Sequence, residues 1–292
     1  MKQDDRWNAV DQFRDFIRFR SGSENTAKHY GNAVFTFLKY FENVTRHTDI
    51  TADQIIQYLL RFENLSTRRN AHSAIKLFYK FKSKNGFSNK FRFIPYPEKP
   101  DTIPDHITKE EFIKLMQVCK NSKHRCILMF GFDAGLRVSE VINLKITDLH
   151  FEKMNIHIRQ SKGRKDRIIK FTSTLRGFLE VYFSQHNPQE YVFNGQNNEP
   201  QYSTRSCQQL LRNYCKKAGI KHYKFHALRH GYSMALYEHG YGLDTIGETL
   251  GHNSRKTTQI YARKNNKVIQ GIESPLEQII QSAQGQNLLS YV

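Results

Sequence analysis

Six residues in the later part of the chain have the types needed to move a phosphoryl group without a metal: Arg137, Lys162, His226, Arg229, His252 and Tyr261. Arg137 lies in AGLRVSE, behind a glycine-bearing turn at the head of a helical pattern. His226 and Arg229 lie in HALRH, three apart and therefore on one helix face. His252 follows Gly251 in LGH, a helix stop, Tyr261 lies in TTQIYAR, and Lys162 crowns a hairpin turn in SKGRKDR. Taken singly, each fits a plain role as a solvated charge, a packed ring or a surface histidine. Together they are more specific. Two guanidiniums can grip the non-bridging oxygens of one phosphodiester, because the planar fork matches a phosphate edge. A histidine on the same oxygens would stabilise charge in a pentavalent transition state. A tyrosine hydroxyl, with a pKa of about 10, is a poor nucleophile until a base or a positive field stands nearby. A lysine on a hairpin could protonate the departing oxygen. The set describes metal-free phosphoryl transfer to a tyrosine.

Other chemistries lack their residues. No G-x-x-x-x-G-K-[ST] occurs, so no P-loop and no ATP drive are expected. His226 and His230 have the spacing of a zinc-binding helix, but Ala227 stands where the general-base glutamate belongs and no third ligand is evident. There is no G-x-S-x-G elbow and no acidic cluster suited to two magnesium ions. Cys119, Cys126, Cys207 and Cys215 form no C-x-x-C pair and read as reduced thiols. No metal and no cofactor are expected.

Charge points to the partner. The 292 residues carry 45 Lys+Arg against 27 Asp+Glu, a net +18, which favours a polyanion because cations that neutralise phosphates release condensed counterions. The excess is spread along the chain: residues 1–100 hold 18 basic and 10 acidic side chains, and residues 101–292 hold 27 and 17. Two basic domains suggest a clamp around a duplex rather than a detachable basic tail. No stretch approaches the roughly 20 apolar residues of a membrane span, and MKQDDRWNAVDQF does not read as a signal peptide, so a cytoplasmic protein is expected.

Hydrophobic residues at 38% and aromatics at 13% leave material for a real core, and the length suggests two domains. Residues 1–90 read as a small helical domain, with helical patterns over Val10 to Arg20, Thr26 to Phe41, Ala52 to Arg61 and Ser66 to Lys84. Thr51 and Gln54 have capping-box spacing, with Ile50 and Ile55 where a hydrophobic staple would form. The fourth pattern and its end carry Arg68, Arg69, Lys76, Lys80, Lys82 and Lys84, which fit either a solvated face or a phosphate-contacting helix, with Arg68, Arg69, Lys76 and Lys80 the candidate DNA contacts. Residues 91–104 hold Pro95, Pro97, Pro100 and Pro104 and read as a linker. Residues 105–292 start with a second capping box, Thr108 and Glu111, and continue helically to Leu144. The period then changes to two at Met154, Ile156 and Ile158, a strand that Ile168–Phe171 answers and to which Phe151 and its neighbours could add a third. Helical patterns resume at Leu175–Phe183, Thr204–Lys217, His226–Glu238, a short piece to Leu250, and Ser254–Lys264. The fold class is mainly α: an N-terminal helical bundle and a helical catalytic domain with a small antiparallel sheet.

At these motifs the chain closely resembles the tyrosine recombinases, the site-specific DNA recombinases that include phage integrases and the Xer proteins. AGLRVSE is similar to the family's first arginine motif, HALRH to its His-x-Leu-Arg-His box, LGH with TTQIYAR to its closing histidine and nucleophile segment, and SKGRKDR to its hairpin lysine motif. Over residues 1–90 the likeness is one of architecture only. The resemblance implies that Tyr261 attacks the scissile phosphate to form a 3′-phosphotyrosine bond, that Arg137 and Arg229 hold the phosphate, and that Lys162 is general acid to the leaving 5′-oxygen. It implies that His226 assists proton transfer at the tyrosine, that His252 stabilises the transition state, and that Glu140 supports its neighbours, while His230 is structural. It also implies a homotetramer on two double-stranded DNA sites. The apolar positions Leu276, Ile279 and Ile280 would then let the C-terminal tail dock on a neighbouring protomer. Two alternatives share the chemistry or the fold: a type IB topoisomerase, which would relax DNA without a particular site, and a non-catalytic DNA-binding regulator. Neither the target sequence nor the choice among integration, inversion and dimer resolution is legible, and accessory partners are equally hidden.

Overall fold

The computed structural model describes residues 3–83, 89–98, 104–159, 166–195 and 199–251. The chain divides into two compact units, Met1–Pro100 and Asp101–Val292.

The first unit is built on four helices, α1 (Gln3–Ser21), α2 (Glu24–Tyr40), α3 (Ala52–Leu60) and α4 (Leu65–Lys82). The starts of α2, α3 and α4 are capped by side chains, at α3 by the box that the sequence foretells. The Ser23 hydroxyl accepts from the Thr26 N–H, Thr51 and Gln54 close a reciprocal capping box, and the Asn64 side chain accepts from the Thr67 N–H. Val10, Phe13, Ile17, Val34, Phe37, Ile55, Ile75 and Phe78 meet in one core. Phe13 and Phe78 touch edge to face, with ring centroids 5.5 Å apart.

The expected linker over 91–104 needs correcting in its first part. Phe91 and Ile94 are buried in the core of the first unit, and the His72 Nε2 lies 3.4 Å from the Ile94 carbonyl. The Arg69 guanidinium donates to the Pro97 carbonyl and stacks 4.3 Å from the centre of the Tyr96 ring. Prolines stop a helix there, but aromatic and aliphatic residues between them still have a core to enter.

The second unit is helical around a small sheet. Its elements are α5 (Lys109–Val118), α6 (Ser122–Phe132), α7 (Val138–Ile142), β1 (Leu149–His150), β2 (Asn155–Ile158), β3 (Arg167–Lys170), α8 (Ser173–His186), α9 (Thr204–Lys217), α10 (His226–Glu238) and α11 (Leu243–Leu250). Thr108 and Glu111 form the capping box that starts α5. The α6 helix is the centre of the unit, with Cys126 through Gly131 all buried. The three strands run antiparallel in the order β1-β2-β3, with Ile156 opposite Ile169 and Ile158 opposite Arg167. Alternation turns Ile156, Ile158 and Ile169 into the core beside Phe171, Leu175 and Phe130.

All four cysteines are free and buried, and burial pushes the thiols of Cys126 and Cys207 up to about 12. Among the described residues, no helix is long and apolar enough to cross a membrane.

Candidate functional site

The site of the second unit is organised around one carboxylate. Gly135, at φ +62°, makes the left-handed turn that ends α6, a conformation a Cβ disfavours, and the next residues enter α7. Leu136 is anchored in the core, and its N–H donates to the Phe130 carbonyl at 2.9 Å. Arg137 follows at the N-cap of α7. One helical turn on, Glu140 reaches back: its Oε2 accepts the Arg137 N–H at 2.8 Å, and its Oε1 accepts from the Arg137 Nη1 at 2.7 Å.

Two further guanidiniums converge on the same group. From β3, Arg167 donates through Nη1 and Nη2 to both Glu140 oxygens, at 2.9 and 2.8 Å. From α10, the Arg229 Nη1 stands 3.7 Å from the Glu140 Oε2. Glu140 is only 10% exposed, which by itself raises a carboxyl pKa. The Arg167 hydrogen bonds and charge, with those of Arg137, outweigh burial and bring it down to about 2. Glu140 is therefore a fixed anion amid cations.

The same three arginines hold the end of α11. Arg167 Nε donates to the Thr249 carbonyl at 3.1 Å, Arg229 Nη2 to the Leu250 carbonyl, and Arg137 Nη2 to the Gly251 carbonyl at 3.3 Å. Arg229 also donates to the Gly135 carbonyl at 2.6 Å. The last carbonyls of a helix lack intrahelical partners and carry its negative end, so cations there are favourable. Gly251 closes the helix at φ +63°, and His252 is the next residue in sequence.

His226 opens α10, one turn before Arg229 and His230, and its ring meets that of His230 edge-on at 4.5 Å. Partial burial pushes its pKa below the usual imidazole value. The charges of Arg229 and Arg137 push the same way against the pull of Glu140. A neutral imidazole that can accept a proton is the favoured form. Beside Arg137 lies a cleft of about 490 Å³, also lined by Ser139, Lys145, His157 and Arg159. Its rim cations are paired, Lys145 with Glu190 at 2.8 Å and Arg159 with Asp148 at 2.6 Å. A cleft of about 580 Å³ between the Ile107 segment and α10 takes in none of these arginines.

Of the residues singled out in sequence, Arg137, Glu140, His226 and Arg229 come together. Lys162, His252 and Tyr261 lie outside the described residues, as do the Ser254–Lys264 helical pattern and the tail. The four basic residues of α4 singled out for DNA contact divide into two pairs. Arg68 donates through Nε and Nη2 to the Phe62 carbonyl at 3.0 and 2.7 Å, and Arg69 holds Pro97 and Tyr96, so both are turned into the unit rather than standing as free charges. Lys76 and Lys80 are exposed, four residues apart on the outer face. Arg167 escaped sequence reasoning, although a signal existed. It lies two residues before the core residue Ile169, hence on the inward face of a strand, where a charge needs a partner.

The phage integrase family pattern matches residues 105–267. The tyrosine recombinase XerA of Pyrococcus furiosus is 32% identical over 271 residues, covering 90% of this chain and 91% of that one. A crystal structure of XerA recombinase aligns with 26% identity and a TM-score of 0.53, covering 90% of this chain and 96% of that one. The XerH site-specific recombinase, in a post-cleavage complex with a palindromic difH substrate, shares the fold at 19% identity and a TM-score of 0.73, covering 89% of this chain and 83% of that one.

Proposed function

The chain belongs to the phage integrase family and is a tyrosine-type site-specific recombinase, and on that premise we propose that it cleaves and rejoins DNA through a 3′-phosphotyrosine intermediate on Tyr261. In this reading the Tyr261 oxygen attacks the scissile phosphorus while His226 takes up the phenolic proton. The bond from phosphorus to the 5′-oxygen breaks, and Lys162 protonates that oxygen. Arg137 and Arg229 hold the non-bridging oxygens, and His252 adds a hydrogen bond as charge develops on them. Attack by a 5′-hydroxyl of a second strand reverses each step and releases the tyrosine. The covalent bond keeps the energy of the phosphodiester, so neither ATP nor a metal is needed.

The observation that carries this reading is the convergence of Arg137 and Arg229, from the head of α7 and from α10, on Glu140 at 2.7 and 3.7 Å. Two forked cations fixed side by side match a phosphate edge, and the depressed pKa of His226 suits a base. Double-stranded DNA as the partner is supported by the net +18, spread over both units, and by the DNA bound to XerH. Exchange between two duplexes requires four cleaving subunits, one per strand, so the working form is a homotetramer on two sites. The placement of those sites decides among integration or excision, inversion and dimer resolution.

The test is covalent capture. Fragmented DNA from the source organism is incubated with the wild-type chain and with Tyr261→Phe, denatured in SDS, and the protein-linked DNA sequenced. Adducts at a discrete sequence, absent from Tyr261→Phe, are expected. Adducts without sequence preference would instead indicate topoisomerase-type relaxation, and specific binding with no adduct would indicate a regulator or a missing partner.

A further inference from the structure

Arg167 is the one member of the arginine cluster to which the reaction above gives no part, yet its side chain makes three hydrogen bonds there. Its side chain is 9% exposed. Its fork takes both oxygens of Glu140, at 2.9 and 2.8 Å, and its Nε takes the Thr249 carbonyl at 3.1 Å. It thus ties β3 to the head of α7 and to the last turn of α11 at once.

We propose that Arg167 is a positioning residue for strand cleavage, holding Glu140 at both oxygens so that Arg137 and Arg229 stay apart and aimed at a phosphate. The proposal rests on the reading of those two arginines as the phosphate clamp. A carboxylate offers about four lone-pair sites. Arg167 fills two, and the backbone N–H and Nη1 of Arg137 fill two more. Arg229 is left at 3.7 Å, bound to backbone carbonyls instead. Without Arg167, Glu140 has two vacant sites beside two cations and is drawn onto them, where it competes with the phosphate. Lysine cannot replace the fork, because one ammonium does not span two carboxylate oxygens and a carbonyl in a fixed plane.

A pH profile separates this role from a merely structural one. Among the described residues, the groups facing Glu140 are Arg137 on its own element, Arg167 on β3, and Arg229 and His226 on α10. Burial raises the Glu140 pKa, and Arg167 is the largest force against it. Removing Arg167 lets Glu140 protonate at a higher pH, so the acid limb of the cleavage rate moves upward. His226 gives the opposite sign: neutralising Glu140 removes a pull that raises the imidazole pKa, which would move that limb downward. An upward shift that is lost when Glu140 is also replaced therefore reports Glu140, because loss of the Arg167 charge alone could raise the imidazole pKa as well.

The experiment uses the full chain and a nicked duplex carrying the sequence recovered by covalent capture. Single-turnover cleavage is followed from acid to neutral pH for the wild type, Arg167→Met, Arg167→Lys and Arg167→Met/Glu140→Gln, with duplex binding and thermal melting measured alongside. Arg167→Met is expected to cleave about 10- to 100-fold more slowly at neutral pH, the range that loss of an outer partner costs at other sites, with its acid limb raised and its duplex affinity kept. Arg167→Lys is expected to recover only part of the rate, and the double variant to lose the raised limb. Wild-type rate and profile in Arg167→Met would overturn the proposal. Should Arg167→Met fail to fold, Arg167→Lys carries the test, and wild-type behaviour in it would likewise overturn the proposal. Absence of any adduct from the wild type would remove the clamp reading and this inference with it, an outcome distinct from a silent Arg167 substitution in an active enzyme.

Discussion

Arg229 stands 3.7 Å from the nearer oxygen of Glu140, an ion-pair distance rather than a hydrogen bond, because its donors are turned to the carbonyls of Gly135 and Leu250. Its side chain is 2% exposed, whereas that of Arg137 is 20% exposed. The two arginines assigned to one phosphate are therefore unequal as structural parts. Arg229 joins the turn before α7 to the end of α11 from inside the core, and Arg137 lies closer to solvent.

That inequality separates stability from activity. Replacing Arg229 with methionine strands two carbonyls and leaves Glu140 with less compensation, a change of the kind that costs about 3–5 kcal/mol. Arg137→Met leaves its neighbours better hydrated and is expected to cost about 1 kcal/mol. Both substitutions should abolish adduct formation. Urea unfolding of the two variants measures the difference, and equal losses would contradict the buried role of Arg229.

Glu140 makes the second unit sensitive to acid. Its pKa is held at about 2, below the ordinary 4.5. A depressed carboxyl pKa contributes stability that is complete above the unfolded value and is lost as pH falls toward the folded one. At about 1.4 kcal/mol per pKa unit, the contribution is on the order of 3 kcal/mol. The stability gap between wild type and Glu140→Gln should thus be widest above pH 4.5 and shrink as pH falls toward about 2. Unfolding curves at a series of pH values test this, and a gap that does not change with pH would mean that another group controls the acid response.

His226 is expected to titrate below the usual imidazole value, since burial and the charges of Arg229 and Arg137 all favour its neutral form. Substituting Arg137 with glutamine removes one of those charges and should raise the His226 pKa, while leaving the helix that carries it intact. Proton NMR of the imidazole ring as a function of pH reads the shift directly. An unchanged value in Arg137→Gln would show that the two side chains are not coupled across the site, and a lower one that the sign of the coupling is reversed.

Local rules made much of this architecture legible. The boxes Thr51/Gln54 and Thr108/Glu111 mark helix starts because their spacing satisfies two orphan backbone groups at once, and both are present. Alternation marked β2 and β3, since Ile156, Ile158 and Ile169 must share a face. Non-local contacts were not legible. Nothing in the spacing of Phe91 and Ile94 says that they return to the core of the first unit. Nor does the basic run of α4 say that Arg68 and Arg69 turn inward while Lys76 and Lys80 stay outside. In the site, residue chemistry marked Arg137, His226 and Arg229 as a group, and the family resemblance added Glu140. The common anion and the three carbonyls at the end of α11 required the fold, and with them the place of Arg167.

The outer face of α4 supplies a test of how the first unit meets DNA. Lys76 and Lys80 are exposed on one face, as cations that contact phosphates would be. Each such contact releases counterions, so losing one lowers the slope of log affinity against log salt by about one. Lys76→Ala and Lys80→Ala are each expected to reduce that slope and to weaken specific and non-specific duplexes alike, with no change in melting temperature. Arg69→Ala should do the reverse. Its guanidinium holds the Pro97 carbonyl and the Tyr96 ring, so the substitution should cost about 1 kcal/mol of stability and leave the salt slope near that of the wild type. Salt titrations of duplex binding, paired with melting curves, distinguish the two patterns. A slope that falls for Arg69→Ala and holds for both lysine variants would place the phosphate contacts on the opposite side of the helix.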